Sequence, residues 1–338
     1  MIIPYRTRCF LKRAGIFLLV LAVLAVLLTV CLFAKLEQYI VYTRDGVKFD
    51  FSKSSKDLVG QVPEPTVIEN PIGIHYFDRS EFAETDKELA PIIGYYITGE
   101  ELEEDLDAVR AQIKKLPAKT PIMIDLKSIY GNFFYSSSVS SNRNEDVDTA
   151  AMDELIKELC SGNYYTIARV PALRDRLYGL NNVGDGLPVA AGYLWMDSQG
   201  CYWLNPLKDG TITYLAQIAS EIKNLGFNEV VFCDYYFPET DKIIFKEDKQ
   251  KALADTAQTL VNSCGSETFA VSFTAKSFFE APKGRSRMYL ENAAAAEANT
   301  LANQFGFENP ETRVVFLTEI HDTRFDDFSV LRPLADAE

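Results

Sequence analysis

The sequence predicts an α/β protein: a (β/α)8-type TIM barrel with one irregular quarter, preceded by a single transmembrane helix. Two observations predict the barrel. Short apolar runs alternate with amphipathic helical patterns from residue 91 onward, and no glycine-rich nucleotide-binding motif follows any of these runs. The third observation is an uncharged stretch of 21 residues near the amino terminus, which predicts the membrane segment.

The uncharged stretch covers residues 14–34, AGIFLLVLAVLAVLLTVCLFA. At about 1.5 Å per residue, a helix of this length crosses a hydrocarbon core of about 30 Å. The preceding residues 1–13 contain four basic residues and no acid, which predicts that they stay in the cytoplasm and that the remainder is extracytoplasmic. The length of the run favours a retained single-pass cell-membrane anchor over a cleaved signal peptide, and a lipoprotein-like cleavage box at 28–31 is the lesser alternative.

Beyond residue 35 the chain has 29 basic residues against 48 acidic ones, and such a surface repels nucleic acid. The four cysteines of this part form no C-x-x-C pair, and with His75 and His321 as the only histidines there is no H-E-x-x-H motif. We therefore expect neither a metal nor a cofactor.

Residues 35–90 lack periodicity and are interpreted as a stalk and lead-in segment, whereas 91–338 form the barrel domain. The expected strands are 91–99, 121–127, 163–170, 229–237, 268–275 and 313–320, with weaker candidates at 71–78 and 287–291. Helical patterns cover 102–116, 152–159, 212–225, 248–263 and 293–304. This alternation indicates a parallel sheet covered on both faces, either a closed barrel or an open doubly wound sheet. The missing glycine motif favours the barrel.

Charged side chains stand at the ends of four predicted strands, where a barrel collects its functional groups. They are Asp125, Lys127, Arg169, Asp234 and Glu319. We expect Asp234, Asp125 and Glu319 to supply catalytic carboxylates, and Lys127 and Arg169 to bind substrate. The alternative is that these charges form solvated rim positions or structural ion pairs.

The segment 192–206, GYLWMDSQGCYWLNP, contains both tryptophans of the chain. Trp195 and Trp203, together with Tyr235 and Tyr236 beside Asp234, offer flat apolar faces of the kind that stack on sugar rings. The alternative is that these aromatic side chains only pin the loop to the barrel.

Several motifs together resemble a known family. IIGYYITG, PIMIDLKSIYG, YYTIARVPALRD, WLNP and LGFNEVVFCDYYFP, which lie within residues 91–240, are similar to motifs of bacterial secreted or membrane-anchored TIM-barrel domains classed with the glycoside hydrolases. Positions that match the family are Asp125, Lys127, Gly131, Arg169 and Trp203, whereas Asn205 stands where Asp is usual. The family strand Gly-Phe-Asp-Glu-Ile-Gln-Phe-Asp-Tyr-Val-Arg-Phe-Pro, aligned without gaps, places its aspartate on Cys233 and its arginine on Tyr236. A shift of one residue makes Asp234 the equivalent acid.

The resemblance implies an anchored glycoside hydrolase that acts on a cell-envelope or environmental polysaccharide or oligosaccharide, built of neutral or amino sugars, through a carboxylate pair. In that pair we expect Asp234 to be the ionised member. Two alternatives stay open. The barrel could be a catalytically inactive carbohydrate-binding or envelope scaffold module, or it could serve protein partners without binding sugar.

Overall fold

The computed structural model describes residues 89–337 and the backbone of two short strands, β1 (Ile40–Thr43) and β2 (Gly46–Phe49). β1 and β2 pair antiparallel, with Ile40 opposite Phe49. They belong to a unit that spans Met1–Val62, and the barrel belongs to the unit Pro63–Glu338. The predicted anchor, 14–34, lies outside the described residues. Within the described part of the chain, no helix combines the length and apolar character needed to cross a bilayer.

Eight parallel strands close into a barrel and pair in sequence order, with the last strand beside the first. They are β3 (Ile93–Ile97), β4 (Pro121–Asp125), β5 (Tyr165–Pro171), β6 (Glu229–Cys233), β7 (Ala270–Thr274), β8 (Met288–Glu291), β9 (Val314–Leu317) and β10 (Ser329–Pro333). The predicted TIM barrel is therefore confirmed.

The two weak strand candidates have different outcomes. The candidate at 287–291 is confirmed as β8, and the candidate at 71–78 lies outside the described residues. The eighth barrel strand is β10, which the sequence analysis did not identify. Its apolar run is only Val330 and Leu331 before Arg332 and Pro333, too short for a period to be recognised.

The helices of the barrel agree with the predicted patterns in its first four crossovers and differ in the later ones. They are α1 (Gly99–Ile113), α2 (Thr149–Ser161), α3 (Arg176–Asn181), α4 (Asp209–Leu225), α5 (Lys249–Cys264), α6 (Ala298–Asn303) and α7 (Pro310–Arg313). No helix joins β7 to β8, and only a 3₁₀ turn, Thr323–Phe325, lies between β9 and β10. These short connections are the irregular part of the barrel.

Helix starts and stops follow local capping chemistry. Thr98 and Glu101 form a capping box at the start of α1, and Asp148 accepts hydrogen bonds from two backbone N–H groups at the start of α2. Gly226 ends α4 with φ +97°, a left-handed conformation that glycine adopts without strain. These caps place the chain correctly for the strands that follow.

Alternate residues of each strand point into the barrel and form layers. The middle layer is apolar and contains Met123, Ile167, Val231, Val315 and Leu331. By the same alternation, Asp125 and Arg169, two positions further along β4 and β5, bring polar side chains to the carboxyl end of the barrel, which we call the mouth.

The layer at the opposite end of the barrel is built around one buried carboxylate. Glu229 accepts hydrogen bonds from Tyr165, Tyr289 and Ser272 and pairs with Arg287 at 2.5 Å, and its side chain is fully buried. Arg287 also donates to the carbonyl oxygens of Thr312 and Ala90. Because both charged side chains of this network have partners, the network fills the bottom of the barrel and leaves neither charge unpaired.

Candidate active site

An arginine spans the mouth of the barrel. Arg169, on β5, donates from Nη1 to Asp125 on β4 at 3.0 Å and from Nη2 to Glu291 on β8 at 2.8 Å. Strand pairing places Arg169 directly beside Asp125, whereas Glu291 stands three strands away around the barrel. The guanidinium therefore holds two carboxylates in fixed positions on different sides of the mouth.

Asp125 has a second partner besides Arg169. Its Oδ2 accepts a hydrogen bond of 3.0 Å from the backbone N–H of Gly99, at the first turn of α1. A helix amino terminus and a guanidinium are both favourable hydrogen-bond donors to a carboxylate. With both oxygens engaged, Asp125 is well suited to orient Arg169.

The residue that points into the mouth from β6 is a cysteine. Glu229, Val231 and Cys233 share one face of the strand, and Cys233 is buried beside Arg169. Burial raises the pKa of the Cys233 thiol well above its usual value, despite the opposing effect of Arg169. The thiol therefore stays protonated and cannot replace a carboxylate as an ionised group.

Asp234 follows directly and has an unusual backbone conformation, with φ +50°. A non-glycine residue rarely adopts this left-handed conformation, which costs about 1–2 kcal/mol. The turn ends the strand after Cys233 and changes the direction of the side chain that follows.

The Asp234 carboxyl group lies near several charged side chains but is paired with none of them. It is partly buried, and within residues 89–337 it forms no hydrogen bond or ion pair. Burial raises its pKa and the negative charge of Glu291 adds to the rise, while Arg174 and Arg169 oppose it. These surroundings favour the protonated form of Asp234 more than water does.

An aromatic wall stands beside Asp234. Trp203 contacts Tyr236 edge to face at 4.9 Å between ring centroids, and Trp195 lies 6.3 Å from Trp203. Trp203 is almost fully buried, whereas Tyr236 and Trp195 are partly exposed. The exposed edges of Tyr236 and Trp195 are therefore the parts of the wall that a ligand can reach.

Asp197 fixes this wall to the barrel. Its Oδ2 accepts hydrogen bonds from Arg174 at 2.7 Å and from the Trp203 indole at 3.1 Å, while Oδ1 accepts from the backbone N–H groups of Gln199 and Cys201. One carboxylate thus orders the loop and holds Arg174 near Asp234.

Two predicted ligands lie inside the protein. Lys127 and Asp175 form an ion pair of 2.7 Å with fully buried side chains, and Asp175 also caps α3 and accepts from Tyr214. Tyr235 is completely buried and donates to the Leu253 carbonyl oxygen at 2.7 Å. Neither Lys127 nor Tyr235 is therefore available to a ligand.

The predicted site residues separate into groups by their placement. Asp125, Arg169, Asp234, Tyr236, Trp203 and Trp195 line or support the mouth. Glu319, after β9, is exposed and faces the Tyr96 phenol, whose pKa is raised by burial and then by Glu319. Glu319 thus belongs to the rim and makes no contact with Arg169.

Sequence reasoning missed two residues that organise the site, Glu291 and Asp197. Glu291 ends a strand in the same way as Asp125, but β8 has only four residues and its apolar run was weak. Asp197 lies in a loop, where no strand end marks it. Among the described residues, no cluster of three or more metal-binding side chains was found.

A surface groove of about 900 Å³ lies elsewhere, on the outer side between α4 and α5. Its lining includes Ser138, Ile212 and Thr259 but none of the mouth residues described above. The assignment of the site therefore depends on the strand-end carboxylates and not on the size of a cavity.

Comparisons with solved structures find matches at low sequence identity. A hypothetical protein from Ruminiclostridium thermocellum is 19% identical with a TM-score of 0.45, covering 53% of this chain and 96% of that one. An α-galactosidase of family GH36 from Geobacillus stearothermophilus, in complex with stachyose, is 11% identical with a TM-score of 0.49, covering 74% and 40%. An α-galactosidase from Lactobacillus brevis is 9% identical with a TM-score of 0.47, covering 74% and 38%. The chain thus spans about two fifths of either galactosidase.

None of the curated proteins matches the sequence significantly. A family model described as "Putative glycosyl hydrolase domain" matches residues 94–272, which extends the resemblance seen at 91–240 into β7. That match covers more than half of the chain and confirms the resemblance, so the protein belongs to this glycosyl hydrolase domain family.

Proposed function

We propose that this protein is a glycoside hydrolase in which Asp234 is the general acid and Glu291 is the ionised carboxylate. The observation that carries the proposal is the contrast between the two groups at one mouth. Glu291 is paired with Arg169, whereas Asp234 is unpaired and its pKa is raised. Glycoside hydrolysis requires two carboxyl groups with different roles, and a carboxylate held by a guanidinium beside a carboxyl group without a cation partner is suited to that division.

Each of the two groups has its own step in this proposal. Asp234 donates its proton to the glycosidic oxygen as the bond to the anomeric carbon breaks. Glu291 supplies the negative charge that the positively charged anomeric centre needs, either by attacking that carbon or by removing a proton from an attacking water. The stereochemistry of the product distinguishes these two modes.

Other residues of the mouth have supporting roles in this proposal. Asp125 orients Arg169, and Arg169 holds Glu291. Trp195 and Tyr236 offer edges and faces against which a sugar ring packs, and Trp203 supports Tyr236. The substrate is a polysaccharide or oligosaccharide of the cell envelope or the environment.

The test uses aryl glycosides that differ in the acidity of the leaving phenol. A good leaving group needs little help from a general acid, so Asp234→Asn should retain activity on dinitrophenyl glycosides and lose at least about 100-fold on unactivated oligosaccharides. Glu291→Gln should lose activity on both substrates. Glu319→Gln, at the exposed rim, is the matched control and should change little.

Equal losses for Asp234→Asn on both kinds of substrate would reject the general-acid role. An unchanged Glu291→Gln enzyme would reject the second assignment. The pH profile adds an independent measurement, because an acid catalyst loses activity as pH rises through its pKa. That alkaline limb should disappear in Asp234→Asn.

A second candidate function is supported by Cys233. A neutral thiol occupies the inward position at the mouth on β6, where the family alignment places an aspartate. A barrel that lost this acid and kept the aromatic wall would bind an oligosaccharide without cleaving it. Binding to a glycan with no turnover, weakened by Trp203→Ala, would support the binding or scaffold module over the hydrolase.

We also propose that residues 14–34 anchor the protein in the cell membrane with the barrel outside the cytoplasm. The support is the uncharged run and the basic residues that precede it. Protease added to intact spheroplasts should digest the barrel, and replacing the four basic residues with acids should reduce that accessibility.

A further inference from the structure

We propose that the sugar bound at the mouth carries a carboxylate, as a uronic acid does, and that Lys276 recognises it. This inference rests on the proposed function and names its substrate class. Lys276 lies two residues after β7, on the loop at the carboxyl end of the barrel. It has no role in the catalytic assignments above.

The ammonium group of Lys276 is held beside the aromatic wall. Its Nζ lies 4.8 Å from the centroid of the Tyr236 ring, within the range of a cation–π contact. The side chain is partly buried rather than extended into solvent. Tyr236 in turn contacts Trp203, so the cation stands next to the surface on which a sugar ring is proposed to pack.

Lys276 differs from the arginines of the mouth in lacking an acidic partner. Arg169 is occupied by Asp125 and Glu291, and Arg174 is occupied by Asp197. Throughout residues 89–337, no carboxylate forms an ion pair with Lys276. A partly buried cation left without an anion in this way is suited to an anion that the ligand brings.

The negative charge of the whole protein makes a local cation necessary for binding an acidic ligand. The chain has a formal net charge of −14, and the mouth itself contains several carboxylates. Such a surface repels an acidic ligand unless a local cation offsets the repulsion. A sugar carboxylate projects from the edge of the ring, so the ring can pack on Tyr236 while the carboxylate reaches the flexible lysine.

The experiment measures binding to matched acidic and neutral ligands. Oligosaccharides of galacturonic, glucuronic and mannuronic acid are each compared with their carboxyl-reduced neutral counterparts, by calorimetry on the full-length protein with Asp234→Asn to prevent turnover. At least one acidic ligand should bind about tenfold or more tightly than its neutral counterpart. Lys276→Gln should remove that preference, and Lys276→Arg should retain most of it.

Circular dichroism and the Tm of each lysine variant establish that it is folded before binding is compared. Equal binding of acidic and neutral ligands, or a preference that survives Lys276→Gln, would overturn the inference. So would the absence of binding across all pairs. If the unmutated enzyme cleaves neutral glycans and a carboxylate on the sugar does not increase that activity, the role of Lys276 is rejected. The proposed hydrolase function would still stand.

Discussion

Arg169 donates two hydrogen bonds to one oxygen of Glu291, at 3.2 Å from Nε and 2.8 Å from Nη2. The two residues are 122 positions apart in the sequence and are joined only because the barrel closes. This pair fixes the position of a carboxylate that belongs to one of the shortest strands. The consequences of breaking it can be measured.

Replacing Arg169 with methionine should reduce kcat by tenfold or more, because Glu291 and Asp125 lose the cation that orients them. Stability should fall by about 1–2 kcal/mol, since the arginine and both carboxylates are partly exposed to solvent. Steady-state kinetics and urea unfolding measure the two effects. Arg332→Met, at the end of β10, is the control, and a comparable loss of kcat in that variant would contradict the prediction.

Asp234→Asn should stabilise the protein at neutral pH. The native state raises the pKa of this carboxyl group by burial, so the folded protein binds its proton more tightly than the unfolded chain does. Stability therefore declines as pH rises through the interval between the unfolded and the folded pKa, and stays lower above it. The asparagine of the Asp234→Asn variant does not ionise, so the stability of the variant does not decline in this way.

The Tm of the Asp234→Asn variant should exceed that of the unmutated protein at pH 7. The difference in Tm should shrink towards about pH 3, below the ordinary pKa of aspartate. Thermal unfolding followed by circular dichroism at both pH values measures this. Asp241→Asn is an exposed control that should show no comparable gain. A lower Tm for Asp234→Asn at pH 7 would mean that the carboxylate is stabilised in the folded state.

Lys127→Met should destabilise the protein by about 3–5 kcal/mol while leaving the KM of the folded fraction unchanged. The reason is that Asp175 would remain buried without its cation, because both side chains are fully enclosed. The double variant Lys127→Met/Asp175→Leu should recover part of the loss. A rise in KM without a loss of stability would instead identify Lys127 as a substrate ligand.

Glu229→Gln should cost about 3–5 kcal/mol in the free energy of unfolding, since Arg287 would lose its only carboxylate partner among the described residues. The network lies at the opposite end of the barrel from the mouth, so kcat measured well below the Tm should change less than twofold. Glu239→Gln provides an exposed control for the same substitution. A large loss of kcat without destabilisation would contradict a purely structural role.

The alternation of apolar runs and helical patterns was sufficient to predict the barrel, because each pattern is local and repeats along the chain. It identified seven of the eight strands, including the weak one at 287–291. The sequence pattern did not predict β10, because its apolar run is only two residues long and shows no period. Pairing with its neighbours β9 and β3 gives this segment its place in the barrel.

The site was predicted only in part, because strand-end charges are visible in a sequence and their partners are not. Asp125 and Arg169 were placed at the mouth from the strand pattern alone. The same reasoning grouped Lys127 with them, although its side chain turns inward to Asp175. A carboxylate 48 residues away decides whether that lysine faces a ligand or the core.

Local sequence patterns therefore determined the barrel, its family and the end at which its charges collect. The closed barrel determined which charges meet, since Glu291 reaches Arg169 only across the mouth and Asp234 depends on a left-handed turn after Cys233. The physical reason is that apolar periodicity records only which face of an element is buried. Ion pairs and pKa values depend on distances between residues that are remote in the chain.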